Sequence, residues 1–158
     1  MERNMVSLFL QRGDELLLLH REGGRVANGL WVAGCGGHME PEEMGDAGRA
    51  VLREMEEELG LTADALEGFA LRYITLRNTG REIRQNYYFF ARLKDANAAL
   101  SSNEGQLKWC REEEILQLPM PVTAHLVMEH YFAHGRHTHC LYAGVTNTQD
   151  GRFLEMNV

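Results

Sequence analysis

With 158 residues, of which 44% are hydrophobic and 25% charged, the chain is large enough to bury a real core and has the composition of a globular protein. Its formal charge of −7 argues against a nucleic-acid polymer as partner, because phosphate-backbone binding relies on clustered lysine and arginine. A small phosphorylated substrate is compatible with that charge, since a bound metal supplies local positive charge.

Residues 5–10 and 16–20 read as two strands joined by Gln11-Arg12-Gly13-Asp14, a hairpin signal. The run at 5–10 is too short for a signal peptide, and no window has the apolar length of a transmembrane helix, so no membrane partner is expected. Residues 21–29 are polar and glycine-rich and read as a loop, followed by a short strand at 31–33. Gly34, Gly36 and Gly37 then bracket Cys35 in a glycine loop, where the backbone can approach a ligand closely. Residues 47–59 predict a helix stopped by Gly60.

Residues 69–76 and 83–93 are rich in β-branched and aromatic side chains, and Asn78-Thr79-Gly80 between them suggests an antiparallel pair. A short strand at 107–110 and a short helix at 112–117 follow, the helix ended by Pro119 and Pro121. A second long helix spans 123–134 up to Gly135, and 139–145 with 152–156 predict a terminal hairpin around Asp150-Gly151. Strands flanked by two long helices predict a layered mixed-sheet domain. No linker or repeat interrupts the chain, so one domain over residues 1–158 is expected. Cys35, Cys110 and Cys140 are odd in number and widely spaced, which suits reduced thiols in a cytoplasm.

The helix at 47–59 carries most of the functional information. Helical geometry places Glu54, Glu57 and Glu58 on one face and Leu52, Met55 and Leu59 on another, the face that packs on a core. Three carboxylates on one face repel one another unless something positive sits among them. Hard divalent cations take such oxygen ligands and bind phosphates at the same time. An acidic helix face taken alone is more often a solvated stripe than a metal site. The glycines upstream favour the site.

Gly37, five residues and Glu43, followed later by Arg53-Glu54-Met55, Glu57-Glu58 and Gly60-Leu61, resemble the signature of the Nudix hydrolases, G-x5-E-x7-R-E-U-x-E-E-x-G-U with U aliphatic. Gly29-Leu30-Trp31 is similar to the family's approach to its glycine loop. Nine residues separate Glu43 from Arg53 where the signature has seven, and a two-residue insertion near Met44-Gly45-Asp46 accounts for the difference. The acid that pairs with the motif arginine is then Glu43 or one of its neighbours, Glu42 and Glu40.

The resemblance implies an α+β fold, an α/β/α sandwich with a mixed β-sheet between helices. It implies Mg²⁺ or Mn²⁺ held by Glu57, Glu58 and the Gly37 carbonyl, with Glu54 as a further ligand or the base that orients water, and Arg53 as a brace for the loop. Glu104, in Ser102-Asn103-Glu104-Gly105 before Leu107-Lys108-Trp109, stands where related sequences often carry a general base, although a solvated loop acid reads the same way. Among substrate contacts, Arg21 suits a phosphate. Trp31 suits either a nucleobase stack or the core, and Asn86 either a base edge or an ordinary strand position.

The expected activity is hydrolysis of a phosphoanhydride in a nucleoside triphosphate, an oxidised one such as 8-oxo-dGTP included, or in another nucleoside diphosphate derivative. The glycine segment and the stretch around Glu104 look most like the MutT-type branch. Two alternatives stand beside it: a non-catalytic nucleotide-binding or regulatory module, and an isopentenyl-diphosphate-isomerase-like enzyme, which needs a Cys and a Glu facing an apolar pocket. Selectivity is expected from the loops at 21–29 and 75–84 and from the terminal hairpin, which also offers an edge for a homodimer. His130 and His134, four apart, with His137, His139 and Cys140 close behind, read as packing or surface residues or as a zinc site.

Overall fold

The computed structural model of the protein describes residues 1–23 and 28–158; residues 24–27, inside the loop expected at 21–29, lie outside the described residues. Strand β1 (Glu2–Arg12) organises the sheet because it carries apolar side chains on both faces. Val6, Leu8 and Leu10 point to one core and Phe9 to the other. One edge of β1 runs parallel to β6 (Ile83–Leu93) from Glu2↔Ile83 to Gln11↔Arg92. The other edge is shared. Residues Met5 to Leu8 pair antiparallel with β4 (Cys35–His38), and Gln11 and Arg12 begin the hairpin to β2 (Glu15–Arg21). Beyond that start β2 leaves β1 and pairs with β3 (Trp31–Ala33) and β7 (Gly105–Cys110).

On the far side, β6 pairs antiparallel with β5 (Leu66–Asn78), β5 parallel with β8 (Tyr142–Thr146), and β8 antiparallel with the edge strand β9 (Gly151–Glu155). Helix α1 (Ala47–Leu59) covers one face, setting Ala50, Val51, Met55 and Leu59 on Val6, Leu8, Leu10, Leu17 and Phe89. Helix α3 (Val122–Ala133) covers the other, with Val127, Met128 and Tyr131 against Phe9, Leu18, Tyr73, Tyr88 and Phe90. The short α2 (Glu112–Ile115) seals that second core with Ile115. Burial on both faces explains why Leu16–Leu19 is a continuous apolar run rather than an alternating one. The result is an α+β fold with a mixed sheet between helices. None of the described helices is long and apolar enough to cross a membrane.

Helix α1 has the predicted limits for local reasons. The Asp46 side chain accepts the Arg49 N–H at 3.1 Å, and Gly60 leaves the helix at φ +69°. Elsewhere the chain departs from the reading above. The glycine segment at 34–38 is not a loop, because Cys35–His38 forms β4. A Cβ on Gly36 would collide with the Val6 carbonyl oxygen, so only glycine lets β4 lie this close to β1. Strand β5 starts earlier than position 69 because a bulge, with Gly68 at φ +62°, keeps the extra residues in the ladder. Strand β8 starts later than position 139. Arg72 donates to the carbonyls of Gly135, Thr138 and Cys140 at 2.5, 2.9 and 3.1 Å, which removes them as ladder acceptors.

Met55 has no exposed surface, whereas Leu154 on the edge strand is 71% exposed. Met55→Ala is expected to cost about 2–5 kcal/mol in urea unfolding, as large-to-small core substitutions do. Leu154→Ala should shift stability by no more than about 0.5 kcal/mol in the same measurement.

Candidate active site

Arg53 ties helix α1 to the segment before it. Its Nε and Nη2 donate to both oxygens of Glu43 at 2.7 and 2.8 Å, and Nη2 also reaches the His38 carbonyl at 3.2 Å. Its Nη1 donates to Glu54 at 3.2 Å and to Glu57 at 3.1 Å, one helical turn on. Glu43 is 1% exposed, and the Arg53 hydrogen bonds, helped by the Glu40 N–H at 2.9 Å, hold its carboxyl down to about 2. The acid paired with the motif arginine is therefore Glu43, with Glu40 at 3.8 Å a distant second. A 3-10 turn over Pro41–Glu43 presents it, and the extra residues pass outside, through Gly45 at φ +87° and the exposed Met44.

Strand β4 brings backbone against the acids. The Gly36 N–H donates to Glu58 Oε2 at 3.2 Å. A Cβ on Gly37 would run into the Glu54 carboxylate, so this glycine, too, is required by close approach. Burial, and then the charge of Glu54, push the Glu58 carboxyl up to about 8, against the opposing pull of the Gly36 N–H. Burial also raises Glu54, with Arg53 opposing it. Burial and the neighbouring Glu54 charge leave Glu58 short of positive charge, which a proton or a cation can supply. Glu57 is different: 58% of its side chain is exposed, and it turns toward Arg53 rather than into the cleft.

Glu54, Glu58, Gly37 and Glu104 line one open cleft of about 460 Å³. Glu104 is carried there by β7. A Cβ on Gly105 would strike the His20 carbonyl, so glycine lets β7 begin hard against β2 and sets Glu104 beside Arg21. Arg21 Nη2 lies 3.4 Å from Glu104 Oε2. The cleft opens into a more enclosed pocket of about 150 Å³, and Arg21, Gly36, Gly37 and Glu58 border both. Asn86 and Tyr88 of β6 form part of the inner wall, Asn86 Nδ2 donating to the Tyr88 hydroxyl at 3.5 Å. The mostly apolar remainder includes Met5, Phe9, Leu19, Val32 and Ala124.

The structure thus brings Arg21, Gly37, Asn86, Glu54, Glu58 and Glu104 around one connected space and leaves Trp31 out of it. Trp31 lies against the His20 ring at 4.9 Å between centroids and packs on the α3-side core, away from any described cavity. Its size and its partner favour packing over a base stack. The histidines on and after α3 gather elsewhere: the His130 and His134 rings lie 5.2 Å apart between centroids and, with His137, line a separate pocket. His130 Nδ1 shares a hydrogen bond with the buried Tyr73 hydroxyl at 2.8 Å, and its ring packs on Tyr142 and Phe153. Among the described residues no three His, Cys, Asp or Glu side chains are gathered as a metal cage. The sequence reading missed Arg3, His38 and Arg84. Period-two alternation from Asn86 leads to Arg84 and Tyr88, but nothing local marks Arg3, which the β1–β6 register sets opposite Arg84.

Comparison with known proteins bears on the family and the fold. The profile of the NUDIX domain matches residues 1–131. Among solved structures, the chain is similar to a MutT protein from Bacillus halodurans, with 24% identity, 96% of this chain and 97% of that chain covered, and a TM-score of 0.73. It is similar to the ORF135 protein of E. coli at 28% identity, with 84% and 89% covered and a TM-score of 0.63. It also resembles a C. elegans Ap4A hydrolase at 19% identity, with 83% and 96% covered and a TM-score of 0.67. For the first and third of these the likeness is one of fold.

The Glu43–Arg53 pair gives a stability signature. Because the folded state holds Glu43 below its ordinary 4.5, the pair stabilises fully above that pH and is lost as pH falls toward about 2. Glu43→Gln should therefore destabilise the protein at pH 7 by about 1.5–3 kcal/mol, the range for a hydrogen bond to a charged group. In denaturant titrations at successive pH values, the gap from the parent protein should close between about 4.5 and about 2.

Proposed function

The chain belongs to the Nudix family, and on that premise we propose that it is a metal-dependent pyrophosphohydrolase. Its substrate is a nucleoside triphosphate, an oxidised one such as 8-oxo-dGTP included, or another nucleoside diphosphate derivative. The observation that carries the reading is the convergence of Glu54, Glu58, the Gly37 backbone and Glu104 on one cleft that continues into an apolar pocket with an amide on its wall. A polyphosphate fits the acidic cleft only with cations; a base fits the inner pocket. One solved relative of the same fold is named for hydrolysis of Ap4A, a dinucleotide polyphosphate, which agrees with this substrate class.

The residues fit Mg²⁺ or Mn²⁺. The donors would all be oxygen, from Glu54, Glu58 and the Gly37 carbonyl in the cleft and from Glu57 once it turns away from Arg53, and Glu58, raised by burial and by the Glu54 charge, is short of positive charge. Mg²⁺ is commonly held by one or two carboxylates together with substrate phosphates, which is the kind of donor set this cleft offers. Such an ion neutralises phosphate oxygens and activates water. Glu104 takes a proton from the attacking water as its oxygen bonds to phosphorus. The bridging P–O bond breaks, and its electron pair leaves on the bridging oxygen. Arg21 pairs with a phosphate oxygen, Arg53 keeps α1 and β4 in register, and Asn86 meets the base edge.

The free cysteines agree with a reducing cytoplasm. A homodimer through β9, whose outer edge has no partner strand among the described residues, belongs to the same proposal; a one-chain mass in sedimentation would remove it. One observation favours a second reading, isomerase-like chemistry. Cys35 lines the inner pocket next to Glu58, its thiol kept protonated by burial and by the Glu58 and Glu54 charges.

A nucleotide panel with Mg²⁺, read by phosphate and pyrophosphate release, tests the proposal. Alanine at Glu57 or Glu58 should reduce turnover at least about 100-fold with the circular dichroism spectrum unchanged, as loss of transition-state charge stabilisation does. Glu104→Gln should lower kcat by about 10²–10⁴, the usual contribution of a general base. No release from any nucleotide, or isomerised allylic diphosphate instead, refutes the hydrolase.

A further inference from the structure

Arg21 is an under-used cation at the junction of the two cavities. It ends β2, and its backbone is fixed on both sides, its N–H donating to the Leu30 carbonyl at 3.1 Å and its carbonyl accepting the Gly29 N–H at 2.9 Å. The side chain is less committed. Nη2 has one long contact, to Glu104 at 3.4 Å, and the buried Nε has no hydrogen-bond partner among the described residues. A guanidinium has five N–H donors in a fixed fork suited to phosphate oxygens, and a buried donor left unpaired is costly. Arg21 borders both the acidic cleft and the inner pocket, so a phosphate chain passing between them comes within its reach. Glu104 is 41% exposed and held by this one side-chain contact, while its backbone is anchored by the Ser102 hydroxyl at 3.1 Å and by the Glu22 N–H at 3.4 Å.

We infer that Arg21 is a positioning residue that exchanges partners. It steadies the Glu104 carboxylate, then transfers to a phosphate oxygen of an arriving substrate, and so frees Glu104 to take the proton of water only when a phosphate is in place. The exchange rests on the reading of Glu104 as base. It adds that Arg21 couples phosphate binding to base release, so that Glu104 and the phosphate compete for one guanidinium. Because the Glu104 backbone is held on both sides, release alters the hydrogen bonding of its carboxylate rather than the course of the loop.

The competition is read without turnover, by calorimetric binding of inorganic pyrophosphate in Mg²⁺ to the parent protein, Arg21→Gln, Glu104→Gln and the double variant. Glu104→Gln should tighten pyrophosphate binding about three- to tenfold, and Arg21→Gln should weaken it about tenfold or more, the size expected for a charge-assisted hydrogen bond. The tightening should vanish in the Arg21→Gln background, the non-additivity that marks two groups sharing one partner. Equal tightening with and without Arg21 is plain charge repulsion and overturns the exchange, as does unchanged or weaker binding in Glu104→Gln. Kinetics keep the two readings apart. A normal kcat in Glu104→Gln defeats the base assignment, whereas a kcat loss with additive binding defeats only the exchange. Arg21→Lys, which keeps the charge but not the fork, should recover part of the binding and less of kcat.

Discussion

A buried carboxylate facing an arginine holds this molecule's chemistry in place. Glu43 is almost wholly out of water, and its two oxygens take two donors of Arg53. The same guanidinium reaches the His38 carbonyl on β4 and two glutamates on its own helix. One side chain thus fixes the distance between the acidic helix and the glycine strand, while the apolar face of α1 fixes the helix on the sheet. Both constraints are needed. Burial of Met55 and Leu59 presses the helix down, while the Arg53 contacts, with the Gly36–Glu58 hydrogen bond, set its register along β4.

That registry makes glycine obligatory at two consecutive positions for two different reasons. Gly36 yields to the backbone of β1, and Gly37 yields to a side chain of α1. The acids therefore face exposed peptide groups rather than side chains, and the Gly36 N–H is already engaged with Glu58. Such a surface joins carboxylates and backbone polar groups without intervening bulk. The sheet contributes the rest through alternation: Asn86 and Tyr88 of β6 face the inner pocket while Tyr87 and Phe89 turn to the α1 core.

Much of this was legible in the sequence, for reasons that differ from element to element. Helix α1 was readable to its ends, since a capping aspartate, a one-sided apolar stripe and a terminal glycine agree. The meeting of Glu54 and Glu58 with Gly37 was readable from the likeness to the family signature, but the turn of Glu57 toward Arg53 was not. Strand β4 was not, because glycine carries no strand propensity and its reason for being there is a neighbour roughly thirty residues away, in β1. The choice of Glu43 over Glu42 and Glu40 could not be made locally either. All three lie in one short turn, and only the tertiary position of Arg53 distinguishes them. Trp31 was ambiguous between a packing and a binding role, which depends on what stands opposite the ring. Here that is His20.

The turn that carries Glu43 bears on how such proteins are found. Its extra residues leave the ion pair intact because Gly45 takes a left-handed conformation and Met44 swings into solvent, so the helix can start later without displacing the acid. A pattern that demands seven residues between that acid and the arginine passes over this chain, although the contact the pattern encodes is fully formed. In this chain the contact survives as a distance in space although the count along the chain differs. Searches for related enzymes gain by treating the stretch from Met44 to Leu52 as elastic and the Glu43–Arg53 bridge as rigid.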